Sequence, residues 1–258
     1  METGKRIYFA SDVHLGAPGI KDHKAHERRF VRWLDEIRQT AAEIYLMGDI
    51  FDFWFEYKQV IPRGYTRFLG KLSEITDSGI PVHFFTGNHD IWLFDYLTTE
   101  CGIKLYREPL VKTINGKTFY LAHGDGLGDY DPHYNFLKSV FTNRFAQWLF
   151  ARLHPNFGIG MASFWSRKSR EKNLNSHGVN YLGDDKEFSV LYAKEVLQQQ
   201  ENQSIDYFIF GHRHVARTVD VGPGSQLVYL GDWVQHFSYG EFDGNSVELK
   251  FFDDCKKV

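Results

Sequence analysis

Gly87-Asn88-His89-Asp90 is the stretch of sequence on which the fold and the chemistry of this chain depend. It follows the apolar run Val82-His83-Phe84-Phe85, which is typical of a buried strand. Gly87 indicates a tight turn directly after that strand. The pattern therefore places an asparagine and a histidine at the carboxyl end of a strand, a usual position for sites in α/β sheets. Taken alone, the tetrapeptide is more typical of an ordinary turn.

The residues that precede this stretch alternate between short apolar runs and amphipathic runs. Strands are predicted over residues 7–10, 44–47 and 82–85, and helices over about 25–40 and 65–78. A β-α-β-α-β order of this kind is the mark of a layered, parallel sheet.

The pattern changes after Cys101. A β-hairpin is predicted over residues 110–122, because two strand-like runs flank Asn115-Gly116, a pair that favours a tight hairpin turn. The remaining elements are expected to be one helix and a second, mostly antiparallel set of strands: residues 186–200 for the helix, and 206–210, 227–230 and 246–252 for the strands.

Residues 130–182 differ from the rest of the chain, since they are mostly helical in pattern and interleave aromatic and cationic side chains. They are predicted to form a helical cap inserted within a single domain that spans residues 1–258. An amphipathic helix predicted over 134–153 fits either packing on its own domain or a lipid interface. The basic cluster at 167–172 fits an anionic head group or a solvated helix face. The predicted fold class is α/β (α+β), a layered β-sandwich of mixed sheets flanked by helices.

Composition excludes several classes of protein. Of the 258 residues 43% are hydrophobic and 24% charged, which is typical of a globular chain and not of a disordered one. A formal net charge of −3 argues against a dedicated nucleic-acid binder. The first residues carry no signal-peptide pattern, and no apolar run reaches the ~20 residues that span a bilayer. With only two cysteines, far apart, a reducing cytoplasm is the expected location.

Side chains that bind metals stand directly after the predicted strands. They are Asp12, His14, Asp49, Asn88, His89, His123, His212 and His214. Any one of these histidines is most simply explained as a structural residue, but their shared position at strand ends is not. A mixture of imidazoles with oxygen ligands suits Mn²⁺, Fe or Zn²⁺ better than Ca²⁺ or Mg²⁺. The sequence therefore predicts a metal site.

Five blocks of the chain resemble, in order, the motifs of the calcineurin-like metallophosphoesterases. They are Asp12-Val13-His14, Gly48-Asp49-Ile50-Phe51-Asp52, Gly87-Asn88-His89-Asp90, His123-Gly124 and Gly211-His212-Arg213-His214. The resemblance implies the fold of that family and a hydrolase with two divalent metal ions. Mn²⁺ is the expected metal, with Fe or Zn²⁺ as alternatives.

The resemblance also implies a role for each motif residue. One metal is expected on Asp12, His14, Asp49 and His214, and the second on Asp49, Asn88, His123 and His212, so that Asp49 bridges the two ions. Two ions so placed activate water for attack on phosphorus. His89 is expected to protonate the leaving oxygen or to steady the phosphate, with the Asp52 carboxylate orienting its ring. A helix N-cap or a solvent-facing acid is the alternative for Asp52.

The whole chain is similar to the UDP-2,3-diacylglucosamine diphosphatases, the hydrolases of the lipid A pathway. The similarity implies substrate contacts at Asn88, His89, Asp131, Ser169, Asn173 and His212. Two positions depart from that family: His89 stands where an arginine is expected, and Ser176 where a lysine is expected.

The implied reaction is hydrolysis of the pyrophosphate of UDP-2,3-diacylglucosamine to UMP and 2,3-diacylglucosamine 1-phosphate. Such an enzyme would be cytoplasmic and peripheral on the inner face of the inner membrane, with no nucleic-acid partner. A phosphoesterase of the same fold that acts on soluble nucleotides or phosphodiesters is the alternative. A non-catalytic binding module is a second alternative. Such a module would be expected to lack some of the metal ligands, and none of them is missing from this sequence.

Overall fold

Two mixed β-sheets form the centre of the molecule. They are seen in a computed structural model, which describes residues 2–128, 132–162, 164, 181–199 and 204–252. Along the chain the described elements are β1 (Arg6–Ala10), α1 (His23–Ile37), β2 (Ala41–Leu46), α2 (Thr66–Asp77), β3 (Val82–Phe85), α3 (Tyr96–Glu100), β4 (Lys104–Tyr106), β5 (Leu110–Ile114), β6 (Lys117–Leu121), α4 (Pro132–Thr142), α5 (Arg144–Phe150), α6 (residues 155–162), α7 (Phe188–Gln199), β7 (Tyr207–Phe210), β8 (Ala216–Gly222), β9 (Ser225–Leu230), β10 (Ser238–Phe242) and β11 (Val247–Phe251).

The order of the strands confirms the predicted class of mixed, layered sheets and corrects one detail. The first sheet has the order β11-β10-β1-β2-β3-β4, in which β1 to β4 are parallel. The second has the order β5-β6-β7-β9-β8, in which β6, β7 and β9 are parallel and only the edge strands are antiparallel. The prediction of a mostly antiparallel second set was therefore wrong, and β11 joins the first sheet instead.

Side chains that alternate along each strand build the layers. Ile7 and Phe9 of β1 lie in one buried cluster with Phe119 and Ile209 of the second sheet, so this cluster fills the space between the sheets. On the opposite face of β1, Tyr8 and Ala10 belong to the cluster formed with α1 and α2. The outer face of the second sheet packs on α7. The result is a helix–sheet–sheet–helix sandwich.

Local signals account for two of the predicted elements. Asp22 caps α1 by accepting a hydrogen bond from the Ala25 N–H at 2.8 Å, so the helix begins two residues before the predicted start. The predicted hairpin is confirmed, with β5 and β6 paired across Asn115-Gly116. Both turn residues have positive φ (52° and 81°), which is the backbone of the tight turn that this pair favours.

The helix predicted over residues 134–153 is in fact two helices, α4 and α5, which are interrupted at Asn143. Its backbone is extended (φ −66°, ψ 123°), and its side-chain oxygen accepts hydrogen bonds from the N–H groups of Phe145 and Ala146. An asparagine in this role caps a new helix and ends the preceding one. The prediction from periodicity alone therefore treated two helices as one.

Aromatic contacts join helices α4 and α5 to the body of the protein. The indole N–H of Trp92 donates to the Phe141 carbonyl at 2.7 Å, and the ring of Phe150 lies 4.6 Å from the rings of both Trp92 and Phe55. Trp148 and Phe145, in contrast, are 50% and 67% exposed. Packing on the domain is thus seen for some of the aromatics, whereas others face solvent. No helix among the described residues is long and apolar enough to cross a membrane.

Candidate metal and catalytic site

The carboxyl ends of parallel strands from both sheets meet at one edge of the sandwich. Loops that follow β1, β2 and β3 bring their polar residues to the loops that follow β6 and β7. Three groups of side chains there have ligand atoms close enough to share a metal ion. They are Asp12, His14 and His214; His14, Asp49 and His89; and Asp49, His123 and His212. With Asn88, which contacts His123 and His212, the structure brings together all seven predicted metal ligands.

The first group surrounds one oxygen of Asp12. Its Oδ1 lies 3.7 Å from His14 Nε2 and 3.5 Å from His214 Nε2, and these two nitrogens are 3.3 Å apart. The other oxygen, Oδ2, accepts a hydrogen bond from the His212 N–H at 2.9 Å. Asp12 Oδ1 is buried and has no hydrogen-bond partner among the described residues. A buried carboxylate oxygen without a donor is costly, so a cation fits this position.

The second group combines an amide oxygen with two imidazoles and a carboxylate. Asn88 Oδ1 lies 2.9 Å from His212 Nδ1 and 3.4 Å from His123 Nε2. His123 Nε2 is also 3.4 Å from Asp49 Oδ2. The Nδ1–H of His123 donates to the Met47 carbonyl at 2.7 Å, which leaves Nε2 free to bind a metal. The donor chemistry of this group suits a transition-metal ion.

Asp49 stands between the two groups. Its Oδ2 lies 3.4 Å from His123 Nε2 and 3.9 Å from His14 Nε2, so one oxygen faces both halves of the site. Its Oδ1 is held by the His89 main-chain N–H at 2.8 Å. Burial opposes ionisation of Asp49, but the imidazoles of His123, His89 and His14 outweigh it and hold the pKa well below its usual range. Among the described residues, Asp49 is therefore the carboxylate that faces both groups of ligands.

Main-chain conformation at the site is unusual. Asp12, His14, Asp49, His212 and His214 all have φ between 50° and 64°, a left-handed region that residues other than glycine seldom adopt. Gly87 is also required, because a Cβ there would collide with the Asp49 carboxylate. Strained residues of this kind persist where the surrounding structure holds them, and they cluster at functional sites.

His89 is held by the main chain of the loop that follows β2. Its Nδ1–H donates to the Asp52 carbonyl at 2.9 Å, while the Asp52 carboxylate lies 3.8 Å from the same nitrogen. That carboxylate is closer to His14, at 3.4 Å from its Nδ1. Asp52 is buried and no helix begins there, so neither the solvent-facing nor the N-cap interpretation applies. His89 Nδ1 thus hydrogen-bonds to the Asp52 carbonyl, and the carboxylate that was predicted to orient the ring lies further from it.

Two buried carboxylates at the site received no role from the sequence. Asp90 accepts hydrogen bonds from the N–H groups of Gly87 at 2.7 Å and Ile50 at 2.9 Å, so it ties the loop after β3 to the loop after β2. Burial and the Asp49 charge raise the pKa of Asp90 to about 7. Asp232 faces His214 from the loop that follows β9. Both follow an apolar strand and a nearby glycine, which is the signal that identified Asp49.

Helix α4 adjoins the site through the loop that follows β6. The buried carboxylate of Asp125 accepts hydrogen bonds from the Tyr134 hydroxyl and from Lys138 Nζ, the latter at 2.8 Å. Asp131, Ser169 and Asn173, which were predicted to contact substrate, lie outside the described residues, as do Ser176 and the basic cluster at 167–172.

Comparisons with known proteins agree with this geometry. The family model for calcineurin-like phosphoesterases matches residues 5–216. Proteins named UDP-2,3-diacylglucosamine hydrolase are similar over nearly the whole chain. The one from Porphyromonas gingivalis is 39% identical, over 97% of this chain and 99% of its own. Those from Vibrio vulnificus and Actinobacillus succinogenes are 29% and 25% identical, each over 95% of this chain and at least 97% of their own. The chain belongs to the calcineurin-like phosphoesterase family, as its five motifs predicted.

Proposed function

We propose that this chain hydrolyses the pyrophosphate bond of UDP-2,3-diacylglucosamine, giving UMP and 2,3-diacylglucosamine 1-phosphate in lipid A biosynthesis. The observation that carries the proposal is a two-metal ligand set that adjoins helices with exposed apolar side chains. The first feature suits a phosphoric anhydride and the second suits acyl chains. Similarity to hydrolases of that name extends over 97% of the chain, so it includes these helices.

The metal centre would hold two divalent ions, of which Mn²⁺ is proposed, with Fe or Zn²⁺ as alternatives. Asp12, His14 and His214 would hold one ion, Asn88, His123 and His212 the other, and Asp49 would serve both. When bound, the ions supply an activated water and neutralise charge on the phosphoryl oxygens. Two observations support this assignment: Asp12 Oδ1 has no hydrogen-bond partner among the described residues, and the set of donors is rich in imidazoles.

His89 is proposed to act on the phosphoryl group from beside the metal centre. The Nδ1 proton of His89 is engaged by the Asp52 carbonyl, so a proton transferred by this ring would pass through Nε2. The His89 side chain is 23% exposed, so substrate can reach it. The His14 side chain, in contrast, is 1% exposed. Asn88 and His212 are proposed to contact substrate in the described part of the site, and Asp131, Ser169 and Asn173 in the remainder.

A cavity beside the site is proposed to admit the acylated glucosamine. It has a volume of about 430 Å³ and is lined by Asp52 and Phe53 on the body and by Asn156 and Ile159 of α6. A cavity of this size matches an ordinary small-ligand site. Because α6 lines this cavity, its position supports a role in substrate binding for the cap predicted over residues 130–182.

The proposed substrate predicts a preference for acyl chains. In the presence of Mn²⁺, kcat/KM for UDP-2,3-diacylglucosamine is expected to exceed that for UDP-N-acetylglucosamine by roughly 100-fold or more, since each buried methylene contributes about 0.8 kcal/mol. Release of UMP measures both reactions. Equal or faster cleavage of the unacylated compound would support a phosphoesterase of soluble nucleotides instead.

We further propose that the protein is cytoplasmic and binds the inner-membrane surface through α4 and α5. Phe136, Phe145 and Trp148 are exposed on these helices, and the Arg152 guanidinium lies 4.8 Å from the Trp148 ring. Exposed aromatics beside cationic side chains suit the boundary between acyl chains and anionic head groups. An enzyme with a diacylated substrate also gains from lying where that substrate is.

Removing two of these aromatics is expected to weaken membrane binding. The double variant Phe145→Ser, Trp148→Ser should bind vesicles of phosphatidylethanolamine and phosphatidylglycerol at least about tenfold more weakly, because burial of each ring contributes roughly 1.5–3 kcal/mol. Sedimentation with vesicles measures it. Phe251→Ser is the matched control, since Phe251 is 59% exposed on β11, outside the cap. Equal binding by the double variant and the control would refute this surface.

A further inference from the structure

We propose that Asp232 is a positioning residue for the metal centre, which fixes the orientation and the protonated nitrogen of His214. The inference rests on the proposed metal centre and is independent of the proposed substrate. Asp232 lies outside the five sequence motifs, two residues beyond the end of β9. It therefore adds a loop from the second sheet to the elements that build the site.

The two nitrogens of His214 face in different directions. Nε2 faces the metal ligands, at 3.5 Å from Asp12 Oδ1 and 3.3 Å from His14 Nε2. Nδ1 faces the buried carboxylate of Asp232, at 3.4 Å from its Oδ2. A neutral imidazole binds a metal through the nitrogen that carries no proton. A carboxylate beside Nδ1 keeps the proton there and leaves Nε2 for the metal.

The Asp232 carboxylate has little freedom to turn. Its Oδ1 accepts hydrogen bonds from three successive main-chain N–H groups, those of Val234 at 2.9 Å, Gln235 at 2.6 Å and His236 at 3.1 Å. Only Oδ2 remains, and it faces His214 and the Nδ1 of His236, the latter at 3.1 Å. The carboxylate thus presents one fixed acceptor to the ring that faces the metal.

The main chain around Asp232 is joined to the two loops that it serves. The Trp233 N–H donates to the Asp12 carbonyl at 3.1 Å, and the Gly231 N–H donates to the Val215 carbonyl at 3.0 Å. Gly231 has φ of 74°, and a Cβ there would collide with the Ser238 hydroxyl. Asp232 is therefore placed relative to Asp12 and His214 by hydrogen bonds to both of their loops.

His214 needs such a partner more than His14 and His123 do. The side chains of His14 and His123 are each 1% exposed, so packing limits their movement. The side chain of His214 is 30% exposed, so packing constrains it less. The Asp232 carboxylate, at 3.4 Å from Nδ1, supplies the orientation that burial supplies for His14 and His123.

The test is the affinity for metal of Asp232→Asn, measured by titrating the metal-free protein with Mn²⁺ in a calorimeter. The asparagine keeps an oxygen for the three N–H groups but places an amide N–H against His214, which favours the wrong protonated nitrogen. One of two Mn²⁺ ions is expected to bind about 10- to 100-fold more weakly. Wild-type affinity at both sites in this variant would overturn the proposal.

Three further variants separate positioning from general damage. Glu56→Gln is the matched control, because the Glu56 carboxylate is also buried and also accepts three main-chain N–H groups, but it faces no metal ligand among the described residues. It is expected to bind both ions as the wild type does, and so is His236→Gln. In a His214→Ala background, adding Asp232→Asn should weaken binding no further. A full additional loss in that background would show that Asp232 does not act through His214.

A measurement on the unaltered protein covers the case in which Asp232→Asn does not fold. The imidazole nitrogens of His214 in the Zn²⁺-loaded wild type are expected to show, by NMR, a proton on Nδ1 and metal on Nε2. Metal on Nδ1 would overturn the proposal without any variant. A wild type that binds no divalent ion would overturn the metal centre itself, so the two failures are distinguishable.

Discussion

Replacing Asp49 with asparagine is expected to lower kcat roughly 10³-fold and to reduce bound Mn²⁺ below two ions per chain. The oxygen Oδ2 is the only carboxylate atom among the described residues that lies within 4 Å of imidazole nitrogens from both metal groups. A neutral amide cannot hold two cations, and stabilisation of transition-state charge by the metals amounts to several kcal/mol. Each 1.36 kcal/mol lost corresponds to a factor of ten in rate.

Steady-state release of UMP and elemental analysis of the dialysed protein measure the two effects of Asp49→Asn. The matched control is Asp206→Asn. Asp206 binds Lys117 Nζ at 2.9 Å and the Thr118 N–H at 2.8 Å, and it precedes β7, whereas the site lies beyond the opposite end of that strand. The control should keep its metals and its rate. Two bound ions and full turnover in Asp49→Asn would refute a bridging role.

The parts of the fold that the sequence predicted are those with a local cause. Short apolar runs predicted β1, β2, β3, β7 and β9. A strand buried on both faces can be recognised from its own residues, without knowing which strands pair with it. Strands β4, β8 and β10 were missed. Strand β4 has only three residues, β8 alternates polar and apolar residues at the sheet edge, and β10 is interrupted by Gly240. Their pairing depends on neighbours that are distant in the chain.

The candidate site divides in the same way. Ligand types and their positions at strand ends were visible in the sequence, and the parallel strands then brought all seven residues together. The partners that orient those ligands could not be predicted from the sequence, because they lie in other loops. Asp232 serves a ring on another loop, and His89 is oriented by a main-chain carbonyl, an atom that every residue carries. Only the folded structure selects which carbonyl that is.

Replacing His89 with alanine is expected to lower kcat by about 10²- to 10⁴-fold while both metal ions stay bound, because general acid–base catalysis contributes that much. The variant keeps the main-chain N–H that donates to Asp49 Oδ1 at 2.8 Å, so the bridging carboxylate should stay in place. It removes the ring, whose Nδ1–H donates to the Asp52 carbonyl at 2.9 Å. Turnover measured with Mn²⁺, together with the metal content of the same sample, tests both parts.

His89→Gln distinguishes the two roles proposed for this residue. Glutamine donates a hydrogen bond but transfers no proton at neutral pH, so recovery to within about tenfold of the wild type indicates that His89 steadies the phosphate. Turnover as low as that of the alanine variant indicates proton transfer. His23→Ala, which changes the exposed first residue of α1, should match the wild type. Because the side chains of His14, Asp49 and His89 also lie close enough to share an ion, loss of one metal from His89→Ala would instead make His89 a ligand.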